Sequence, residues 1–136
     1  MNTNVRIDGP KRQDLVYPEL SYQIVGVLFS VFNSLGYGYK EKYYQRAIAE
    51  ELKIITIPFK EQVPALINFR GKAIGKHFFD FLIDRKIILE IKQGDRLSRS
   101  DIAQVLGYLK TSELKLGILA RFSRKGLIFK RIVNVR

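Results

Sequence analysis

Apolar residues along the chain switch between helical and alternating spacing, and the switches mark out the elements. From Pro18-Glu19 onward, Leu20, Ile24, Val27, Leu28, Val31 and Phe32 fall on one face as far as Leu35, the i, i+3, i+4 pattern of an amphipathic helix. Gly36-Tyr37-Gly38 stops it, because glycine tolerates the left-handed backbone of a helix C-terminus. A second helix is expected over about Lys40 to Leu52, with Tyr43, Ala47, Ile48 and Leu52 as its stripe. On it Glu41, Tyr44 and Gln45 stand at i, i+3, i+4 spacing and are neighbours.

The pattern then turns β-like over Ile54-Ile55-Thr56-Ile57, and Pro58 punctuates it. Glu61 to Pro64 and Ala65 to Phe69 suggest a pair of short strands, with turns at Arg70-Gly71-Lys72 and Ile74-Gly75. Two apolar runs separated by the polar triplet Asp84-Arg85-Lys86 read as a β-hairpin from His77 to Gln93. A third helix, about Ser100 to Thr111, can be capped by Ser98 or Ser100. Ile102, Val105, Leu106 and Leu109 face inward on it, and Gln104 and Tyr108 form an i, i+4 pair. Lys115 to Ala120 and Leu127 to Val133 are strands joined by the basic turn Ser123-Arg124-Lys125-Gly126. The order α-α-β-β-β-β-α-β-β predicts an α/β domain in which helices flank a central mixed sheet. Residues 1–17 read as a flexible N-terminal arm and 18–136 as one domain.

Within the hairpin stand three charges that burial does not explain: Asp80, Glu90 and Lys92. If the turn is a three-residue loop centred on Arg85, Asp80 lies opposite Glu90 and Lys92 joins the same face. A two-residue turn would slip the register by one and point Asp80 away. Adjacent carboxylates repel unless a cation stands between them, and a divalent metal or the lysine would serve. Strict alternation puts His77 on the face opposite Asp80, so it reads as a strand residue and not as a ligand.

Composition narrows the chemistry. The 136 residues contain no cysteine and one histidine, which excludes disulfide frameworks, thiolate metal sites and multi-histidine zinc sites. Any metal would be held by oxygen, favouring Mg²⁺ or Mn²⁺. No apolar run reaches a membrane span and the polar N-terminus lacks a secretory signal, so a cytoplasmic location and no membrane partner are expected. The formal charge is +11, and from Leu114 onward seven basic residues meet no acid. That bias points to a polyanionic partner, nucleic acid first.

The spacing from Asp80 through nine residues to Glu90-Ile91-Lys92 resembles the motif of the PD-(D/E)xK nuclease superfamily, with Phe79 where its proline would stand. Gly38-Tyr39-Lys40-Glu41-Lys42-Tyr43-Tyr44 resembles the GxxExxY element of one of its families. Leu35 to Gly38 and Ala103-Gln104 through Tyr108-Leu109-Lys110 are also similar, so four separated motifs span about Glu19 to Val133. The resemblance implies a restriction-endonuclease-like core and a metal-dependent nuclease acting on DNA or RNA. It implies Mg²⁺ or Mn²⁺ held by Asp80, Glu90, Glu41 and the main-chain carbonyl of Ile91, with Lys92 beside the attacking water. Gln104 and Tyr108 would help shape the site, and Arg96, Arg99, Lys110, Arg124 and Lys125 would meet the phosphate backbone. Many members of the superfamily dimerise, and a homodimer is left open here. Two other readings compete: a nucleic-acid-binding module that does not cut, and an interaction subunit. Tyr37, Tyr39, Tyr43 and Tyr44 could stack bases, with core packing the alternative for some of them.

Overall fold

The computed structural model describes residues 16–135. Its elements are α1 (Pro18–Leu35), α2 (Glu41–Ile54), β1 (Phe59–Phe69), β2 (Lys72–Ile83), β3 (Ile87–Gln93), α3 (Arg99–Ser112), β4 (Leu116–Ser123) and β5 (Gly126–Val133). The five strands form one sheet in the order β1-β2-β3-β4-β5. The β3–β4 pair is parallel and the other three are antiparallel, so the sheet is mixed. A parallel neighbour requires a crossover, and α3 supplies it.

Three layers result. One face of the sheet, through Phe81, Ile83, Ile87, Leu89, Ile91, Leu116, Ile118, Ala120 and Phe122, packs against Ile24, Leu28 and Val31 of α1 and Tyr44, Ile48 and Leu52 of α2. The other face, through Ala65, Phe79, Ile88, Leu119 and Ile132, packs against Val105 and Leu109 of α3. Central strands β3 and β4 are covered on both sides, which explains their near-continuous apolar runs. Gly117 of β4 sets the close approach of α3: a Cβ there would stand 2.6 Å from Val105 Cγ1. The buried Arg131 of β5 reaches the start of α1, donating to Ser21 Oγ at 3.2 Å and to the Val16 carbonyl at 2.7 Å. Of the expected arm, only Val16 and Tyr17 are among the described residues, and both rest against the core.

Three expectations are corrected. The two short strands expected over Glu61 to Phe69 are one strand, β1, so four strands are reduced to three before α3. Pro64 does not break it because β1 is an edge strand, where a missing N–H is tolerated. Ile74-Gly75 is not a turn but lies inside β2, where the register shifts opposite Ile67/Asn68. Ile54 belongs to α2, and the stretch Ile55 to Pro58 is a connection, not a strand.

Beyond Phe81 the β1–β2 pair continues without β3 as a two-stranded ribbon, because β2 pairs with β3 only from Phe81 to Ile83. The ribbon also changes face. Phe79 packs toward α3, yet Phe81, two residues on, packs toward α1 and α2. The break coincides with Gln62, which stands opposite Asp80, is skipped by the pairing and has φ 52, a left-handed backbone uncommon for a residue with a Cβ.

Candidate active site

The turn between β2 and β3 holds three residues, Asp84-Arg85-Lys86, and pairs Ile83 with Ile87. Asp84 and Arg85 both carry positive φ, 52 and 59, and Lys86 N–H closes the turn on the Ile83 carbonyl at 2.9 Å. One step beyond the last ladder pair, Phe81 with Leu89, Asp80 therefore stands across from Glu90. The ladder opens there, and side chains take over its hydrogen bonds. Ile91 N–H donates to Asp80 Oδ2 at 2.7 Å, and Asp80 N–H donates to Glu90 Oε1 at 3.0 Å. Strand geometry turns the N–H and carbonyl of one residue to the same side, so the Ile91 carbonyl faces this gap as well.

Both acids are buried, at 8% and 4% exposure. Burial, reinforced by the Glu90 charge, pushes the Asp80 carboxyl up to about 7, against the pull of the Ile91 N–H. Burial also raises Glu90, opposed by the Asp80 N–H and by Lys92. Two crowded carboxylates that resist ionisation mark a place short of positive charge.

The remaining oxygens are also engaged. Gln45 Nε2 of α2 donates to Asp80 Oδ1 at 2.8 Å. Glu90 Oε2 meets His77 Nε2 at 3.0 Å and Lys92 Nζ at 3.6 Å. His77 is thus part of the constellation, contrary to its expected place across the sheet. Alternation would have held in an unbroken strand, but the change of face between Phe79 and Phe81 puts His77 and Phe79 on the side of Glu90. Its rings contact confirms the placement, with centroids 4.5 Å apart for His77 and Phe79. Burial, then the Lys92 charge, lowers the His77 pKa, so the ring is held toward neutrality.

Lys92 stands between two acids, 3.6 Å from Glu90 and 3.8 Å from Asp101 Oδ1. Asp101 sits in the first turn of α3, where Ser98 caps the helix by accepting Asp101 N–H at 3.1 Å. Arg121 of β4 fixes its other oxygen at 2.9 Å and also donates to the Gln93 carbonyl. Burial alone would raise Asp101, but the Ser98 hydroxyl, Lys92 and Arg121 outweigh it and hold the carboxyl below its usual range. Sequence reasoning set Gln45 beside Glu41 without giving it a role, and passed over Asp101 and Arg121. Ser98-x-x-Asp101 carries a helix-start pattern and Gln45 adjoins Glu41 on its helix, but nothing local ties Arg121 to either.

Glu41 opens α2 and accepts the Gln93 N–H at 2.8 Å, one residue past Lys92. Its charge adds to the rise at Asp80. Among the described residues, no three His, Asp or Glu side chains stand together as a ready set of metal ligands. The donor set nonetheless fits a hard divalent cation: two carboxylates with displaced pKa values and a main-chain carbonyl turned to the same gap. A carboxylate has about four lone-pair sites, so the amide bonds leave capacity on each.

Gln104 and Tyr108 line a cleft of about 340 Å³ with His77, Phe79, Ala65 and Leu66, between α3 and the β1–β2 ribbon. Tyr108 lies against Phe79, ring centroids 4.9 Å apart, and burial raises its pKa. Arg96 and Arg99 are exposed where β3 leads into α3, and Arg124 and Lys125 on the β4–β5 turn. Arg124 N–H reaches Asp95 at 3.4 Å, which draws the two loops together. Lys110 is set apart, at the far end of α3, by a hollow with Glu113, Lys115 and Asn134. Of the four tyrosines, Tyr44 is core: it is buried, stacks on Phe122 at 4.1 Å and donates its hydroxyl to the Gly36 carbonyl. Tyr37, Tyr39 and Tyr43 are exposed.

The crystal structure of SSO0001 is similar in fold, with a TM-score of 0.51 and 19% identity over 96% of this chain. The chain spans 60% of that protein's length. No curated protein matches the sequence. No helix among the described residues is long and apolar enough to cross a membrane. The family model of the PD-(D/E)XK nuclease superfamily matches residues 18–132, nearly the whole described fold and both strands that carry the buried acids, and the chain belongs to that superfamily.

Proposed function

We propose that this protein is a metal-dependent nuclease of the GxxExxY type that hydrolyses phosphodiester bonds in DNA or RNA. The observation that carries the reading is the buried pair Asp80 and Glu90, both raised in pKa and flanked by Lys92. Asp80, Glu90 and the Ile91 carbonyl would hold the cation, Mg²⁺ or Mn²⁺, with Glu41 close enough to act on the same ligands through its charge. When bound, such an ion neutralises charge on the phosphate and makes a water more acidic.

The chain's own groups do the rest. Lys92, held between Glu90 and Asp101, is placed to orient the attacking water and to stabilise the negative charge that grows on the phosphate oxygens. Gln45 and the two main-chain amides keep the carboxylates from turning away. Gln104 and Tyr108 shape the cleft beside His77. Arg96, Arg99, Arg124 and Lys125 supply phosphate contacts, which position a strand without reading its sequence.

A second reading, a binding module that does not cut, is favoured by one observation: all four oxygens of Asp80 and Glu90 already have protein partners. Incubation of labelled DNA and RNA, single and double stranded, with Mg²⁺, Mn²⁺ or chelator separates the two. Metal-dependent cutting that disappears in Glu90→Ala and Lys92→Ala is the expected result. Salt-sensitive binding with no product in any metal would transfer the assignment to the binding module.

A further inference from the structure

Gly36 and Gly38 adopt positive φ, 74 and 110, and between them and α2 the chain runs as a short exposed connection. It presents Tyr37, Tyr39 and, on the first turn of α2, Tyr43, exposed at 46%, 45% and 43%. Single exposed aromatics are ordinary. Here three half-exposed rings fall within seven residues. Tyr39 meets Tyr43 and the buried Tyr44 edge to face, with centroids 6.3 and 6.2 Å apart, so these form one aromatic cluster that reaches the surface.

Cations stand over two of the three rings. Lys42 Nζ lies 5.2 Å and the Arg46 guanidinium 5.6 Å from the centre of Tyr43, and the Arg124 guanidinium lies 5.9 Å from the centre of Tyr37. Lys40 is exposed in the same connection. The two nearby acids are occupied, Glu41 by the Gln93 N–H and Asp95 by the Arg124 N–H. The strip is also fixed to the active site: Gln93 Nε2 donates to the Tyr39 carbonyl at 3.1 Å, and Gln93 follows Lys92 directly.

We infer that Tyr37, Tyr39 and Tyr43, with Lys40, Lys42, Arg46 and Arg124, form a platform that binds an unpaired stretch of polynucleotide and feeds it to the Asp80–Glu90 site. The inference rests on the nuclease reading only for the second half of that sentence. Rings alternating with cations match a single strand, whose bases have free faces for stacking and whose phosphates follow at short intervals. In a duplex those faces are covered by neighbouring pairs. Neither stacking nor phosphate contact reads the 2′-hydroxyl, so DNA and RNA strands are held alike.

The test is fluorescence anisotropy of 5′-labelled 15-nucleotide oligothymidine, oligouridine and a 15-base-pair DNA duplex, all in chelator so that nothing is cut. The proteins are wild type, a triple Tyr→Ala variant at 37, 39 and 43, and the triple Tyr→Phe variant, each checked for folding by circular dichroism. Both single strands should bind at least tenfold more tightly than the duplex. The alanine variant should lose roughly ten- to hundredfold for single strands, one or two stacked bases' worth, with duplex binding little changed. The phenylalanine variant keeps the ring faces and should retain single-strand affinity. Equal affinity for duplex and single strand, or an alanine variant that binds single strands as well as wild type, overturns the platform. Single-strand binding that fails to lead to cutting once Mg²⁺ or Mn²⁺ is added leaves the platform standing and removes the nuclease reading. Cutting that survives the alanine variant at unchanged KM does the reverse.

Discussion

Asp80 and Glu90 each hold the other's strand: Glu90 Oε1 accepts the Asp80 N–H, and Asp80 Oδ2 accepts the N–H of Ile91, the residue after Glu90. Carboxylates here stand where main-chain carbonyls would complete a ladder. The sheet is therefore parted at this point without leaving its amides unsatisfied, and two acids are fixed in place by backbone. Rigid placement of charged groups is what electrostatic catalysis requires.

Stability without metal should fall as pH rises. Asp80 ionises near its ordinary carboxyl value when unfolded but only at about 7 in the folded protein. Between those values the folded state binds more protons than the unfolded one, so rising pH favours unfolding. The lost stability is on the order of a few kcal/mol, and Glu90, raised in the same direction, adds to it. Thermal melts in chelator from pH 5 to 8 should show a declining Tm, restored at pH 7.5 by Mg²⁺ or Mn²⁺ through mass action. His77, whose pKa burial lowers, works in the opposite sense below its ordinary value of 6.5. The curve is therefore read against Asp80→Asn, and a wild-type Tm that runs parallel to that variant's across the range would contradict the raised carboxyl.

Asp80→Asn separates folding from function. An amide keeps one oxygen for the Ile91 N–H, and its NH₂ can face the Gln45 side chain once that amide turns over. The variant no longer has to lose a proton in a buried place. In chelator at pH 7.5 to 8 its Tm should exceed wild type, while cleavage drops to background. A lower Tm would mean that the ionised carboxylate is itself the stabilising form.

Asp101 holds the ammonium of Lys92 from the side opposite Glu90, which on the nuclease reading makes it a positioning residue. Asp101→Asn removes the negative charge between Lys92 and Arg121 and releases the ammonium toward Glu90. The expected result is a fall in kcat of about ten- to hundredfold, within the range of a displaced catalytic group, with KM close to unchanged. An equal loss on raising KM alone would place Asp101 in substrate binding instead.

Phosphate contacts show as salt dependence. Each one lost should lower the slope of log K against log salt by about 0.7 to 0.9. Arg96→Ala and Arg124→Ala should each do so, whereas Lys110→Ala, at the far end of α3, should change the slope less. Titration of binding in chelator over a range of NaCl concentrations measures all three.

The legible parts of the sequence were those whose spacing is local. Helical stripes gave α1, α2 and α3 nearly to the residue, and Asp84-Arg85-Lys86 carried the one turn on which the placement of Asp80 depended. His77 was placed on the wrong face, because alternation fails between Phe79 and Phe81, at the point where Gln62 on the neighbouring strand has an irregular backbone. The single strand β1 was read as two because Pro64 usually ends a strand, and only position at the sheet edge excuses it. Arg121 joins β4 to the start of α3 across 20 residues of sequence, a relation no window along the chain contains.

Gly117 has no side chain, and α3 settles into the space that leaves, with Val105 directly above. The cleft between Tyr108 and His77 lies along the same helix. The glycine thus lets the helix that lines the cleft lie close to the sheet. Alanine or valine at 117 would act as a shim under the helix, altering that cleft while leaving Asp80, Glu90 and Lys92 chemically the same.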